Sequence, residues 1–225
     1  GAGVVAAVAA GAGTQPYGAC NALTKWFRQV PAATFAQLNQ VFCWHGRYMT
    51  DRMVQMGRFA SAHVAQRISF AVAEVFATEV LHLARRWLAS VAHEPKFAAL
   101  NRIVAERTAS LGERHSGLFF LEVCQDDLGW VAVCHEISAI AWAILPDVLD
   151  ALGVQESEEK RAEQGAPSTS YTYMGALYRL TPAADPRIFI TPDKQAKWLD
   201  VVEKWTEEPR DLVHEHKLAA EARRR

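Results

Sequence analysis

The chain lacks the motifs that usually announce an activity. It has no HExxH zinc motif, no phosphate-cradling glycine loop ending in Gly-Lys and no GxSxG nucleophile elbow. Its four cysteines, Cys20, Cys43, Cys124 and Cys134, are too few and too irregular for a disulfide framework or a zinc ribbon. Nine residues separate Cys124 from Cys134, a spacing used by twin-cysteine helical hairpins, but Cys20 and Cys43 do not supply the second pair that such a hairpin needs. Reduced structural thiols are the reading that remains. Charge of one sign is also missing: 24 basic against 25 acidic residues leave a net −1, so no global positive field draws nucleic acid, and none is expected as a partner. A long uninterrupted apolar run is absent too. The start, GAGVVAAVAAGAG, is too short to span a bilayer and has no basic signal-peptide lead. Without an initiating methionine it reads as a trimmed start or as the mature end left by presequence removal, and its alanine, glycine and valine offer little surface for packing.

Proline is scarce where it matters most. Between Pro31 and Pro95 lie 63 residues with only two glycines, Gly46 and Gly57, and apolar residues return every three or four positions, which predicts helix. His93, Glu94 and Pro95 mark a turn, and a second amphipathic helix is expected from Phe97 to about Leu111. A third helical region is expected from Leu118 to Leu152, interrupted by Gly129 and Pro146. The apolar stretches Ile68–Ala84 and Gly129–Leu145 are each 17 residues long and are expected to pair as an antiparallel hairpin. The expected class is therefore all-α: a long helical hairpin or bundle, with an extended proline-rich C-terminal arm and short terminal helices. Residues 1–153 form the helical core with its lead-in. Residues 154–225 form a linker, an arm and C-terminal helices. Within the arm, which is expected to be ordered mainly by another chain, RIFI (187–190) reads as a short strand or edge contact. Thr191 and Pro192 start a helix as N-cap and first residue. Trp198, Leu199, Val202 and Trp205 are its sticky face, a candidate partner contact.

The candidate constellations are few. Ser61, Ala65, Ser69, Ala73 and Ala77 form a small-residue stripe at spacing four, which lets another helix approach closely and marks the predicted packing face. Glu79 and His82 have the Glu-x-x-His spacing of carboxylate metal sites, but half the ligands such a site needs are missing, so a satisfied core pair is preferred. Glu122, Asp126 and Asp127 offer paired carboxylates, with His115 nearby in sequence. Cys134 beside His135 diverges by about 100° on a helix, which does not make a nucleophile and base. Glu136 next to it adds no second metal motif. His214 and His216 sit among exposed charges.

The run Phe76-Ala77-Thr78-Glu79-Val80-Leu81 resembles the membrane helix of subunit g of mitochondrial ATP synthase. That resemblance implies a non-catalytic, inner-membrane accessory subunit of an ATP synthase or respiratory-chain type of complex, acting through helix packing. It implies contact with other subunits and membrane lipid, with no catalytic residue or metal and, at most, a bound lipid as cofactor. The alternative is a soluble helical metal- or cofactor-binding enzyme, cytoplasmic or in the matrix, using Glu79 and His82.

Overall fold

In the computed structural model, residues 1–24, 26–29, 41–44, 47–50, 53, 61–181 and 187–207 are described. The N-terminal run forms helix α1 (Ala2–Ala12), closed by Gly13 in the left-handed region (φ 70°). Val5, Val8 and Ala9 are buried on it. Small side chains thus suffice for packing, because they let α1 lie close against α4 (Pro95–Leu111). Strand β1 (Tyr17–Ala22) follows, then the single turn α2 (Trp26–Gln29) and a hairpin of β2 (Val41–Trp44) and β3 (Arg47–Thr50). That hairpin breaks the expected helix from Pro31 onward. The described helix α3 runs only from Ser61 to Ser90.

The all-α expectation is corrected most clearly after Gly117. Residues expected as helix form β4 (Phe119–Cys124) and β5 (Asp127–Ala132), before α5 (His135–Ala151) completes the region. The sheet order is β1-β5-β4, antiparallel throughout, with Ala22 opposite Asp127, Cys20 opposite Gly129 and Glu122 opposite Gly129 from the other side. Strand side chains alternate between faces. One face carries Ala19, Asn21, Leu128, Trp130 and Phe119, buried in the core with Phe76, Val80, Ile137 and Leu145 from α3 and α5. The other carries Gly18, Cys20, Ala22, Glu122, Asp127 and Gly129. The protein is a mixed α/β fold rather than a helical bundle.

The segment expected as an arm has structure within the chain. After α6 (Glu158–Gln164), β6 (Ser170–Tyr173), β7 (Ala176–Arg179) and β8 (Arg187–Ile190) form a second antiparallel sheet, followed by α7 (Pro192–Glu207). The turn between β6 and β7 is Met174-Gly175, both with positive φ, as a type I′ turn requires. This sheet is fixed to the first by close approach. A Cβ on Gly18 would come within 2.5 Å of the Tyr171 ring, and one on Gly129 within 2.7 Å of the Tyr173 ring. Only glycine admits those two rings to the sheet surface.

Candidate functional site

The hairpin β4–β5 turns through two residues, Gln125 and Asp126. Gln125 has φ 52° whereas Asp126 is not left-handed, the signs of a type II′ turn, which ordinarily places glycine at the first position. A glutamine held there costs on the order of 1 kcal/mol and persists only where surrounding contacts over-determine it. Those contacts come from α3. The Gln66 side chain accepts from the Gln125 backbone N–H at 2.8 Å and donates to the Val123 carbonyl at 3.3 Å, while the Ser69 hydroxyl donates to the Gln125 carbonyl. Ser69 is fully buried. The small-residue stripe therefore bears on the hairpin: Ala65 and Ser69 are buried beside it, and Trp26 donates to the Ala65 carbonyl at 3.3 Å. Further along α3, Ala73 and Ala77 border a groove of about 580 Å³ between the helix and β4. Ser61 begins the helix, its side chain outside the described residues.

This clamp holds Asp126 at the tip and Asp127 at the first position of β5. Burial pushes the Asp127 carboxyl above the usual range, and the adjacent Asp126 adds to the shift. Lys160 of α6, 3.8 Å away, opposes it. The Cys20 thiol, across the sheet surface, is pushed up to about 12 by burial and then by Asp127, so it is no nucleophile. Tyr171 and Tyr173 are likewise raised by burial, with Glu122 contributing to both. Two vicinal carboxylates on a strained turn, one titrating high, are a costly arrangement and the best candidate for a working centre here.

The sign of that cost is definite. A carboxyl whose folded pKa is raised binds its proton more tightly in the folded chain, so its stabilising contribution is complete below the unfolded value and is lost as pH rises through the folded one. At neutral pH the ionised Asp127 destabilises the fold. Asp127→Asn is expected to raise stability at pH 7 by a few tenths of a kcal/mol and to flatten the rise in stability on acidification. Urea denaturation at pH 7 and near pH 4 checks both; a variant less stable than the parent at pH 7 contradicts the assignment.

The other sequence candidates lie apart. Glu79 and His82 are exposed on α3, and His115 is exposed at the opposite end of β4 from the turn. Cys134 is buried at the N-cap position of α5, whereas His135 is exposed, edge-on to Tyr17 at 5.3 Å. Trp198, Leu199 and Val202 are exposed on α7. The side chain of Trp205, like His214 and His216, lies outside the described residues. Sequence reasoning missed Gln66, Lys160 and the tyrosines; the signal for them was the carboxylate pair itself, set between the apolar runs FFLEV and LGWVA.

Among the described residues, no group of three or more His, Cys, Asp or Glu side chains could hold a metal ion. The position opposite Asp127 on β1 is Ala22, which brings no ligand. Among the described residues the donor set at the hairpin is therefore the pair Asp126 and Asp127. It does fit the way Mg²⁺ is often held, by one or two carboxylates together with phosphate oxygens of a substrate.

No family model matches the chain, and no curated protein matches it. Solved structures do match. A foamy viral protease-reverse transcriptase in complex with double-stranded DNA is similar over 91% of this chain and 31% of its own, with a TM-score of 0.51 and 14% identity. The foamy viral protease-reverse transcriptase in complex with an RNA/DNA hybrid is similar over 95% of this chain and 22% of its own, with a TM-score of 0.52 and 11% identity. This chain therefore spans less than a third of those polypeptides. Two expectations are corrected. Among the described residues no helix is long and apolar enough to cross a membrane, which corrects the expectation of a helix embedded in the inner membrane. The exclusion of nucleic acid, drawn from net charge, fails as well, since both neighbours carry it. What the likeness shows for this chain is the fold.

Proposed function

We propose that the chain is a nucleic-acid-binding module of reverse-transcriptase-like fold, centred on the β4–β5 hairpin, where Asp126 and Asp127 hold a divalent cation shared with a phosphate of the bound strand. The observation that carries this reading is the clamped, strained turn presenting two adjacent carboxylates, one of them pushed above the usual range. A cation between carboxylate and phosphate relieves the repulsion of each. The likeness to a nucleic-acid-bound enzyme supports the choice of phosphate over other anions. Phosphoryl transfer through two metals needs ligands on both sides of the reacting phosphate. With Ala22 beside Asp127 that set is short, so the proposal is binding.

Fluorescence anisotropy with a labelled RNA/DNA hybrid tests it, with and without millimolar Mg²⁺. Dissociation constants in or below the range of about 10⁻⁴ to 10⁻⁶ M are expected at moderate salt. Mg²⁺ should tighten binding severalfold, and Asp126→Asn with Asp127→Asn should abolish that gain while leaving the cation-independent part. Absence of binding at low salt overturns the function. Binding indifferent to Mg²⁺ in the parent removes the carboxylate pair from it.

A further inference from the structure

The small sheet β6–β8 has two unlike faces. Tyr171, Tyr173 and Tyr178 lie on the side turned toward β1, with Tyr171 stacked on Tyr178 at 5.2 Å between ring centroids. Alternation puts Ser170, Thr172, Leu177, Arg179, Arg187 and Phe189 on the outer side, and every one of these except Leu177 is exposed. The register sets Arg179 directly opposite Arg187. Like charges directly opposed across a strand pair destabilise a sheet. Among the described residues no carboxylate pairs with either arginine, and the outer side of the three strands contains no acid. The Arg179 guanidinium instead lies over the Phe189 ring, 4.8 Å from its centroid. Phe189 remains 39% exposed, so part of the ring is open to solvent.

From this arrangement we infer that the outer face of β6–β8 is a contact surface for a nucleic-acid backbone, with Arg179 and Arg187 together receiving phosphates. This rests on the nucleic-acid reading above and names a second place where the strand is held. Two forked guanidinium groups side by side match phosphate oxygens geometrically, and an anion between them removes the repulsion that the register imposes. Ser170 and Thr172 add hydroxyl donors of the kind that position a backbone. The open part of the Phe189 ring offers a surface on which an unpaired base stacks without regard to sequence. The tyrosine stack beneath fixes β6 and β7 to β1 and β5, so Arg179 stands on a packed strand, while β8, which carries Arg187, is held through its pairing with β7. The balanced net charge conceals this face because acids elsewhere cancel it.

The test is the salt dependence of hybrid binding by the full chain, read as log affinity against log salt, for the parent, Arg179→Gln with Arg187→Gln, and Arg179→Lys with Arg187→Lys. Removing two phosphate contacts is expected to lower the magnitude of the slope by about 1.4 to 1.8 and to weaken binding by at least tenfold near 100 mM salt, whereas the lysine pair keeps most of the slope. The Mg²⁺ response from Asp126 and Asp127 should persist in the glutamine pair. Phe189→Ala should weaken single-strand binding severalfold with the slope unchanged. Circular dichroism confirms that each variant is folded, as expected for exposed positions. A glutamine pair that binds with the parent's affinity and slope overturns the inference while leaving the hairpin reading intact. A parent that binds no nucleic acid overturns both.

Discussion

Arg161→Met is expected to cost about 3 kcal/mol of folding stability, read as a lowered urea midpoint with an unchanged slope. Arg161 closes a chain of polar contacts through the middle of the protein. The Trp130 indole N–H donates to the Asn21 Oδ1 at 2.9 Å, and the Asn21 amide donates to Glu156 Oε1 at 2.6 Å. Glu156 Oε2 pairs with Arg161 Nη1 at 2.5 Å. Arg161 also donates to the Trp142 carbonyl at 3.0 Å and lies over the Trp142 ring at 3.9 Å. Asn21 and Trp130 are fully buried, and the Glu156 side chain is only 10% exposed. Methionine keeps much of the packing on Trp142 but removes the guanidinium that pairs with the Glu156 carboxyl, leaving it the Asn21 amide among the described contacts. The penalty is that of an uncompensated buried charge, larger than the net worth of the pair itself. Glu156→Gln in the Arg161→Met background should recover roughly half of the loss, because the stranded charge is gone while the Asn21 hydrogen bond survives. If the double variant is no more stable than the single one, buried charge is not the source of the cost.

The same network explains part of what the sequence conceals. Asn21 carries no sign of a core role in the sequence, yet it is a buried strand residue whose amide serves a tryptophan 109 positions away. The region after Leu118 reads as helix because the run from Gly129 onward is nearly uncharged, and β5, a central strand buried on both faces, has no alternation to betray it. Gly129 was the available sign. It weakens a helix, but on β5 it is what lets the Tyr173 ring lie flat. In the supposed arm, four prolines obscure a plain hairpin: Tyr-Thr-Tyr, then Met-Gly with two positive φ values, then Ala-Leu-Tyr. By contrast, the body of α4 is legible from its amphipathic spacing, although it starts at Pro95 rather than after a turn there, and the start of α7 is legible because Pro192 occupies a first-turn position where a missing N–H costs nothing. The RIFI strand is legible for its β-branched and aromatic content. The carboxylates Asp126 and Asp127 stand out in the sequence, but their partners do not. Gln66, Ser69 and Lys160 come from elements 33 to 61 positions away, and only the register shows what faces the pair from β1.

That position is Ala22, and Ala22→Asp is expected to make the stability of the protein depend on a divalent cation. Ala22 is 1% exposed and sits directly opposite Asp127, which places the two Cβ atoms about 4.5 to 5.5 Å apart. Asp127 already titrates high from burial and from Asp126. A third carboxylate introduced there is buried against two others, with Lys160, among the described residues, to offset them. Without metal the variant should lose about 3 kcal/mol, a fall in Tm of roughly 6 to 12 °C for a chain of this size. With three carboxylates converging, the site gains the charge and ligand number that the parent lacks for holding a cation unaided. Mn²⁺ at a hundred times its dissociation constant would return about 2.7 kcal/mol. Thermal unfolding of the parent, Ala22→Asp and Ala22→Asn, each with and without millimolar Mn²⁺, separates these effects. The aspartate variant should regain most of its lost Tm on adding the ion, and the parent and the asparagine variant should move little. An aspartate variant that stays destabilised in Mn²⁺ would show that positions 22, 126 and 127 do not converge on one ion, and would remove the hairpin as a cation-holding centre.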